Sequence, residues 1–250
     1  MKFDIYFAIG DSMSIDFYPA QDAEASGITV REDIGAAALF HHNESDMFPE
    51  FSGMDLASFF PKIHYKNIAE DGNTCGGVIN RLAAMDLSTS PEVCALITLT
   101  VGGNDLLSAY RASVEKEKGV LQEEILRIQT EYDHVVFLAK SLFNNYRLIL
   151  STVFDPTDGT GIMPMSTPIY NGRLPIEFLD QFNDHIRAHS NDPTVSVADV
   201  HKHFLGHGAE CNSADEFWYW KASPIEPSYK GASEIRRVWL ESVKSLGSDK

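Results

Sequence analysis

Residues 95–105 read Ala-Leu-Ile-Thr-Leu-Thr-Val-Gly-Gly-Asn-Asp, an almost continuously apolar run that ends in two glycines and two polar residues. Residues 5–12 have a similar arrangement, Ile-Tyr-Phe-Ala-Ile-Gly-Asp-Ser. A short apolar run bounded by glycine is typical of a parallel strand that is covered on both faces. We therefore predict two buried strands, each followed directly by a loop that carries polar side chains.

Strand-like and helix-like segments alternate along the rest of the chain. The predicted strands are 3–9, 64–69, 95–101, 147–153 and 194–198. The predicted helices are 79–85, 115–143, 175–188 and 233–246. This alternation predicts an α/β fold with three layers, in which helices cover both faces of a five-stranded parallel sheet, as one domain over residues 1–250.

Two long segments do not fit a compact winding of strands and helices. Residues 21–61 are predicted to be an insertion with weak periodicity, and residues 155–173 are rich in Pro, Gly, Thr and Ser. Connections of this length inside a compact domain are usually functional or mobile.

The composition excludes several classes of protein. The 250 residues contain 20 Lys and Arg against 36 Asp and Glu, a net charge of −16, and 44% of the residues are hydrophobic. A chain of this composition forms a globular core, which excludes a disordered protein. The negative charge argues against a nucleic acid partner and against docking on an anionic membrane. The oligomeric state is left open.

The amino-terminal sequence and the cysteines indicate a cytoplasmic location. Met1-Lys2-Phe3-Asp4 leads directly into the first predicted strand, so we expect no export signal. Three cysteines, Cys75, Cys94 and Cys211, cannot all pair with one another, and reduced thiols fit a cytoplasm best.

Polar residues follow most of the predicted strands, at the point where each strand ends. Because the carboxyl ends of parallel strands meet at one edge of a sheet, we expect these residues to converge. A serine in such a place can act as a nucleophile if a base is within reach. A glycine N–H and an asparagine amide on neighbouring loops can stabilise a developing oxyanion. The candidates in this pattern are Ser12, Gly72 and Asn104.

In this order, the motifs resemble those of the SGNH (GDSL) hydrolase family. Gly10-Asp11-Ser12 matches the block that carries the nucleophile, Gly72 falls where the second block has its oxyanion glycine, and Gly102-Gly103-Asn104-Asp105 matches the G-x-N-D block. The resemblance covers nearly the whole chain. It implies a flavodoxin-like fold, a small-molecule ester substrate, an oxyanion hole formed by Ser12, Gly72 and Asn104, and no metal or organic cofactor.

The fourth block of the family is where this sequence departs from the pattern. The family has D-x-x-H-P near the carboxyl end, whereas residues 223–227 here read Ser-Pro-Ile-Glu-Pro. Ser223 stands in the place of the aspartate and Glu226 in the place of the histidine. Both the usual base and its orienting acid are therefore replaced.

Three alternatives for the base remain open. Glu226 is one candidate, although its pKa would have to rise from about 4.3 to about 6. A histidine that is oriented by Glu226 is another; we prefer His207, which lies between glycines, over His203 and His201. The spacing of these three histidines matches no metal signature, so no metal site is predicted there. In the third alternative the site hydrolyses nothing, and the protein is a ligand-binding module on the same fold.

Three carboxylates near these motifs are assigned to substrate binding. Asp11 precedes the candidate nucleophile, Asp16 follows it closely, and Asp105 ends the G-x-N-D block.

Overall fold

The centre of the molecule is a parallel sheet of five strands. The computed structural model describes residues 2–29, 33–85, 90–113, 118–164 and 173–246. The strands are β1 (Ile5–Gly10), β2 (His64–Asn67), β3 (Cys94–Thr100), β4 (Asn145–Ser151) and β5 (Val195–Ala198). They lie in the order β2-β1-β3-β4-β5, and every neighbouring pair is parallel. The predicted fold class and five-stranded sheet are confirmed.

Helices connect the strands and cover both faces of the sheet. They are α1 (Phe17–Ala25), α2 (Ala36–His41), α3 (Leu56–Phe59), α4 (Cys75–Ala83), α5 (Gly103–Ser113), α6 (Lys118–Ser141), α7 (Ile176–Ala188), α8 (Val200–Phe204) and α9 (Tyr229–Leu246). A short antiparallel hairpin of β6 (Tyr219–Trp220) and β7 (Ser223–Pro227) precedes α9. None of the helices in the described ranges is long and apolar enough to cross a membrane.

The strand sequences explain the two cores. Side chains alternate between the faces of a strand. Phe7 and Ile9 accordingly pack with the residues of α4, α6 and α7, while Tyr6 and Ala8 pack with those of α2 and α9. The edge strand β2 alternates between exposed and half-buried residues, which is why its sequence signal is weaker than that of the central strands.

The predicted helices were correct in position but incomplete in number. The long helix predicted for residues 115–143 is α6, and the last helix begins at Tyr229, earlier than predicted. The helices α1, α2, α3, α5 and α8 were not predicted. Of the loop predicted for 155–173, residues 165–172 lie outside the described part of the chain. All three cysteines are free thiols in the structure.

The predicted insertion, residues 21–61, packs against α9 around one buried arginine. The Arg236 side chain is fully buried, and its guanidinium lies 3.6 Å from the ring centroid of Phe51 and 5.3 Å from that of Phe48. Its Nη1 donates to Asn43 Oδ1 at 2.7 Å, and its Nη2 donates to Ser233 Oγ at 2.5 Å. Burial lowers the pKa of Arg236 to about 10, so the guanidinium remains charged at neutral pH.

We expect the substitution Arg236→Ala to lower the free energy of unfolding by about 3 kcal/mol, because it removes a desolvated cation–π contact and leaves the buried Asn43 oxygen without its donor. Arg237 is the matched control: it also lies over Phe51, at 4.4 Å, but it is partly exposed and paired with Glu234. Its replacement by alanine should cost less than about 1 kcal/mol. Urea unfolding of the two variants measures both values, and equal losses would contradict the assigned role.

Candidate active site

Ser12 lies on a tight turn directly after β1. Residues Ser12–Ser14 form a single 3-10 turn, and the Asp11 side chain caps it by accepting a hydrogen bond from Met13 N at 3.1 Å. Ser12 is 8% exposed. The turn therefore holds the serine hydroxyl at the carboxyl edge of the sheet with little freedom.

The turn is fixed to the neighbouring strand through Thr100. Its hydroxyl oxygen accepts a hydrogen bond from Asp11 N at 3.3 Å and contacts Ser14 Oγ at 2.9 Å. Gly10 has a φ of +157°, and a Cβ on this residue would lie 2.1 Å from Thr100 Oγ1. Only glycine permits the chain to pass this close to Thr100.

Asn73 connects the loops that follow β1, β2 and β3. Its side-chain amide donates to Gly10 O at 3.2 Å, and its backbone carbonyl accepts a hydrogen bond from Asn104 Nδ2 at 3.0 Å. Gly72 precedes it in a left-handed conformation with a φ of +68°. Sequence reasoning missed Asn73 as a positioning residue, although it directly follows the candidate Gly72.

A cavity of about 80 Å³ opens beside Ser12. The polar residues that line it are Asp11, Ser12, Asn104, Asp155 and Glu226. Most of the remaining wall is aliphatic, with contributions from Leu106, Leu107, Val153, Leu174, Ile176 and Leu179. The site thus combines a small polar corner with an apolar wall.

The hairpin of β6 and β7 places Glu226 at this polar corner. It lies on β7 and is 6% exposed, and Ser228 behind it donates from both N and Oγ to Trp218 O, at 2.9 and 2.8 Å. Burial raises the pKa of Glu226 from 4.5 to about 8, and its interaction with the Ser12 hydroxyl opposes this shift. The Oε2 atom is buried without a hydrogen-bond partner. The carboxyl group therefore faces Ser12 in an environment that disfavours its charge.

His207 lies elsewhere. Its ring stacks on Trp218 with the ring centroids 3.3 Å apart, and its Nδ1 is 2.8 Å from the carbonyl oxygen of Glu216. It is not among the residues that line the cavity. From the sequence we preferred an arrangement in which a histidine lies between Ser12 and Glu226. The structure does not place His207 at the serine.

The other two histidines also have partners away from Ser12. His203 Nε2 is 2.8 Å from Glu234 Oε2. His201 is buried beside Arg187, whose Nη2 is 3.4 Å from its Nδ1.

Of the three carboxylates assigned to substrate binding, the structure places only Asp11 on the cavity. Asp16 Oδ1 accepts a hydrogen bond from Gly35 N at 2.7 Å and so ties the insertion to α1. Asp105 accepts from Cys75 N at 3.0 Å and supports the start of α4. Both expectations are corrected because neither carboxylate lines the cavity beside Ser12, and each is used instead to support the backbone of another segment.

Burial also raises the pKa of Asp11 to about 6 and that of Asp16 to about 6. The pKa of Asp105 is raised from the ordinary aspartate value by burial, which the hydrogen bonds from Cys75 partly offset. Because loss of water around the charge is the main cause of each shift, burial favours partial protonation of these acids.

Comparison with known proteins agrees with the motifs and the sheet order. The family described as GDSL-like lipase/acylhydrolase matches residues 6–232. The chain belongs to this family. As a member of the GDSL-like lipase/acylhydrolase family it is a hydrolase, and the resemblance stated from Gly10-Asp11-Ser12 and the G-x-N-D block is confirmed.

Solved structures share the fold at low sequence identity. A lipase from a goat rumen metagenome matches with a TM-score of 0.62 and 17% identity, covering 97% of both chains. A GDSL-like lipase from Parabacteroides merdae matches with a TM-score of 0.63 and 16% identity, covering 98% of this chain and 97% of that one. An acetylxylan esterase from Geobacillus stearothermophilus matches with a TM-score of 0.60 and 16% identity, covering 97% of this chain and 95% of that one. Comparison with curated proteins finds no match to this chain.

The raised pKa of Glu226 has a consequence for stability. Between pH 4.5 and about 8, the folded protein keeps a proton on this carboxyl, whereas the unfolded chain has already released it. Wild-type stability should therefore fall relative to that of a Glu226→Gln variant as the pH rises through this window, by on the order of 3 to 5 kcal/mol.

Urea unfolding of both proteins at pH 5, 7 and 9 measures the difference. Asp11 and Asp16 titrate in both proteins, so subtraction isolates Glu226. A difference that is the same at pH 5 and pH 9 would show that the folded protein does not disfavour the Glu226 charge.

Proposed function

We propose that this GDSL-family hydrolase cleaves carboxylic esters with Ser12 as the nucleophile and Glu226 as the base. The observation that supports it most directly is the buried Glu226 carboxyl, which interacts with the Ser12 hydroxyl at the polar corner of an otherwise apolar cavity. A serine needs a nearby base to become nucleophilic, and Glu226 is the titratable side chain in contact with it.

The reaction would proceed in two steps. The Ser12 oxygen attacks the carbonyl carbon of the ester while Glu226 accepts the hydroxyl proton. The protonated Glu226 then gives that proton to the departing alcohol, which leaves an acyl group on Ser12. Water, deprotonated by Glu226, attacks the acyl-enzyme. The bond between Ser12 and the acyl carbon then breaks, Glu226 returns the proton to the Ser12 oxygen, and the carboxylic acid is released.

Asn104 and two backbone N–H groups would stabilise the oxyanion of each tetrahedral intermediate. One hydrogen of the Asn104 amide is held by Asn73 O, which orients the group and leaves its second N–H available to substrate. The N–H groups of Ser12 and Gly72 complete the proposed set. Donors that are already oriented pay no reorganisation cost during the reaction.

The proposed base differs from histidine in its pH range. With a pKa of about 8, most Glu226 carboxyl groups are protonated at neutral pH and cannot accept a proton. We therefore expect kcat/KM to rise with pH through an apparent pKa of about 8. A histidine base would give a rise through an apparent pKa of about 6.5.

The cavity wall favours an ester with an apolar acyl part. Aliphatic side chains such as Leu107, Val153 and Leu179 bind hydrocarbon but offer no hydrogen bonds to a polar group. The lipases and the acetylxylan esterase that share this fold are consistent with an ester substrate.

Rates of aryl ester hydrolysis for four proteins test the assignment. We expect Ser12→Ala and Glu226→Gln both to lower kcat/KM by at least about a hundredfold, because each removes a group that the proton transfer needs. His207→Ala, the matched histidine control, should stay within about twofold of wild type, since the His207 ring stacks on Trp218.

The other outcomes lead to different conclusions. A larger loss for His207→Ala than for Glu226→Gln would move the base role back to the histidine. Equal background rates for wild type and Ser12→Ala, together with no labelling of wild type by a fluorophosphonate, would contradict ester hydrolysis. That result would favour the ligand-binding module.

We expect Asn104→Ala to reduce kcat by about a hundredfold or more with little change in KM, because an oxyanion donor acts mainly in the transition state. Burst kinetics with an aryl ester separate the acylation rate from substrate binding. The melting temperature of the variant is the control for the lost contact with Asn73. An unchanged kcat would remove Asn104 from the oxyanion hole.

A further inference from the structure

A cluster of metal-ligating side chains lies between α6 and α7, on the outer surface and away from the cavity. It consists of Asp133 on α6, His185 on α7, and His189 directly after α7. Asp133 Oδ1 is 2.7 Å from His185 Nε2 and 3.0 Å from His189 Nε2. The three candidate ligand atoms all lie within 4.8 Å of one another.

The local backbone explains why both rings face one carboxylate. His185 and His189 are four residues apart, and His189 keeps a helical conformation with φ −67° and ψ −14°. Residues four apart lie on the same helical face. On α6, Gln129 Nε2 donates to Gln181 O at 3.3 Å, so the helices are already in contact one turn before the cluster.

We propose that Asp133, His185 and His189 form a zinc site that joins α6 to α7. Two imidazoles and one carboxylate are a common protein ligand set for Zn²⁺, with water completing the tetrahedron. Ligands at about 2.0 to 2.1 Å from zinc lie roughly 3.3 Å apart in a tetrahedron. The two nitrogen–oxygen distances are a few tenths of an ångström shorter, which small side-chain rotations correct.

The charges around the cluster suit a metal. Zinc binds an ionised carboxylate and neutral imidazoles, because their lone pairs are then available to the ion. Lys140 is a nearby cation that opposes metal binding, and it is paired with Asp192. A single divalent ion would neutralise Asp133 and use the electron pairs of both rings.

The site would stabilise one wall of the cavity from outside. Ile176 and Leu179 line the cavity from the first turns of α7, and His185 lies on the same helix. Zinc that binds only the folded protein raises its stability in proportion to the logarithm of zinc concentration. The site is independent of the proposed chemistry at Ser12.

Calorimetric titration of the untagged, chelator-dialysed protein with Zn²⁺ tests the proposal. We expect one zinc per chain, and a melting temperature that rises by about 5 to 10 °C when free zinc is 100 times the measured Kd. Mg²⁺, which prefers oxygen ligands, should give no comparable rise.

Three variants locate the binding. His185→Gln and Asp133→Asn should each weaken zinc binding at least about tenfold and remove most of the thermal shift. His134→Gln is the matched control, because His134 is exposed and adjacent to Asp133 in sequence but lies outside the cluster. It should bind zinc as wild type does.

Zinc binding that survives in both His185→Gln and Asp133→Asn would assign the metal to other groups, such as the free thiols, and would overturn the proposal. The absence of any thermal shift in wild type would do the same. The far-UV circular dichroism spectra of wild type and Asp133→Asn in the presence of chelator should be equal, which would show that the variant is folded.

Discussion

The close contact between Gly10 and Thr100 is the constraint on which the site depends. The absence of a side chain at Gly10 lets the end of β1 lie against the end of β3, and the Thr100 hydroxyl then holds the turn that follows. Asn73 joins the loop after β2 to the same arrangement through one hydrogen bond to Gly10 and one from Asn104. Three loops that are distant in sequence therefore act as one rigid support for Ser12 and Asn104.

Much of the fold could be predicted because its central strands are buried on both faces. The continuous apolar runs that contain Phe7 and Ile97 alternate with helical patterns along the chain. In such a chain they have few interpretations other than buried parallel strands. The edge strand β2 was harder to recognise because half of its residues face solvent. The short helices α2, α3 and α8 were missed because four to six residues are too few to establish a helical period.

The partner of Ser12 could not be predicted because it depends on packing between distant segments. Glu226 and His207 are both near the carboxyl end in sequence, and only the hairpin of β6 and β7 determines which of them reaches the serine. Trp218 stacks on His207, and its carbonyl oxygen accepts two hydrogen bonds from Ser228. The cluster around Asp133 was missed for a related reason: its histidines have the four-residue spacing, but Asp133 lies 52 residues before His185.

The acids around Ser12 also affect how a product would leave. Asp11, Asp155 and Glu226 all line the cavity, and ester hydrolysis generates a further carboxylate between them. In a site of low dielectric, like charges at short range repel strongly. Above the pKa of Glu226 the proposed product would therefore be expelled by the same group that helped to form it. The reverse reaction and product inhibition by the free acid would both be disfavoured.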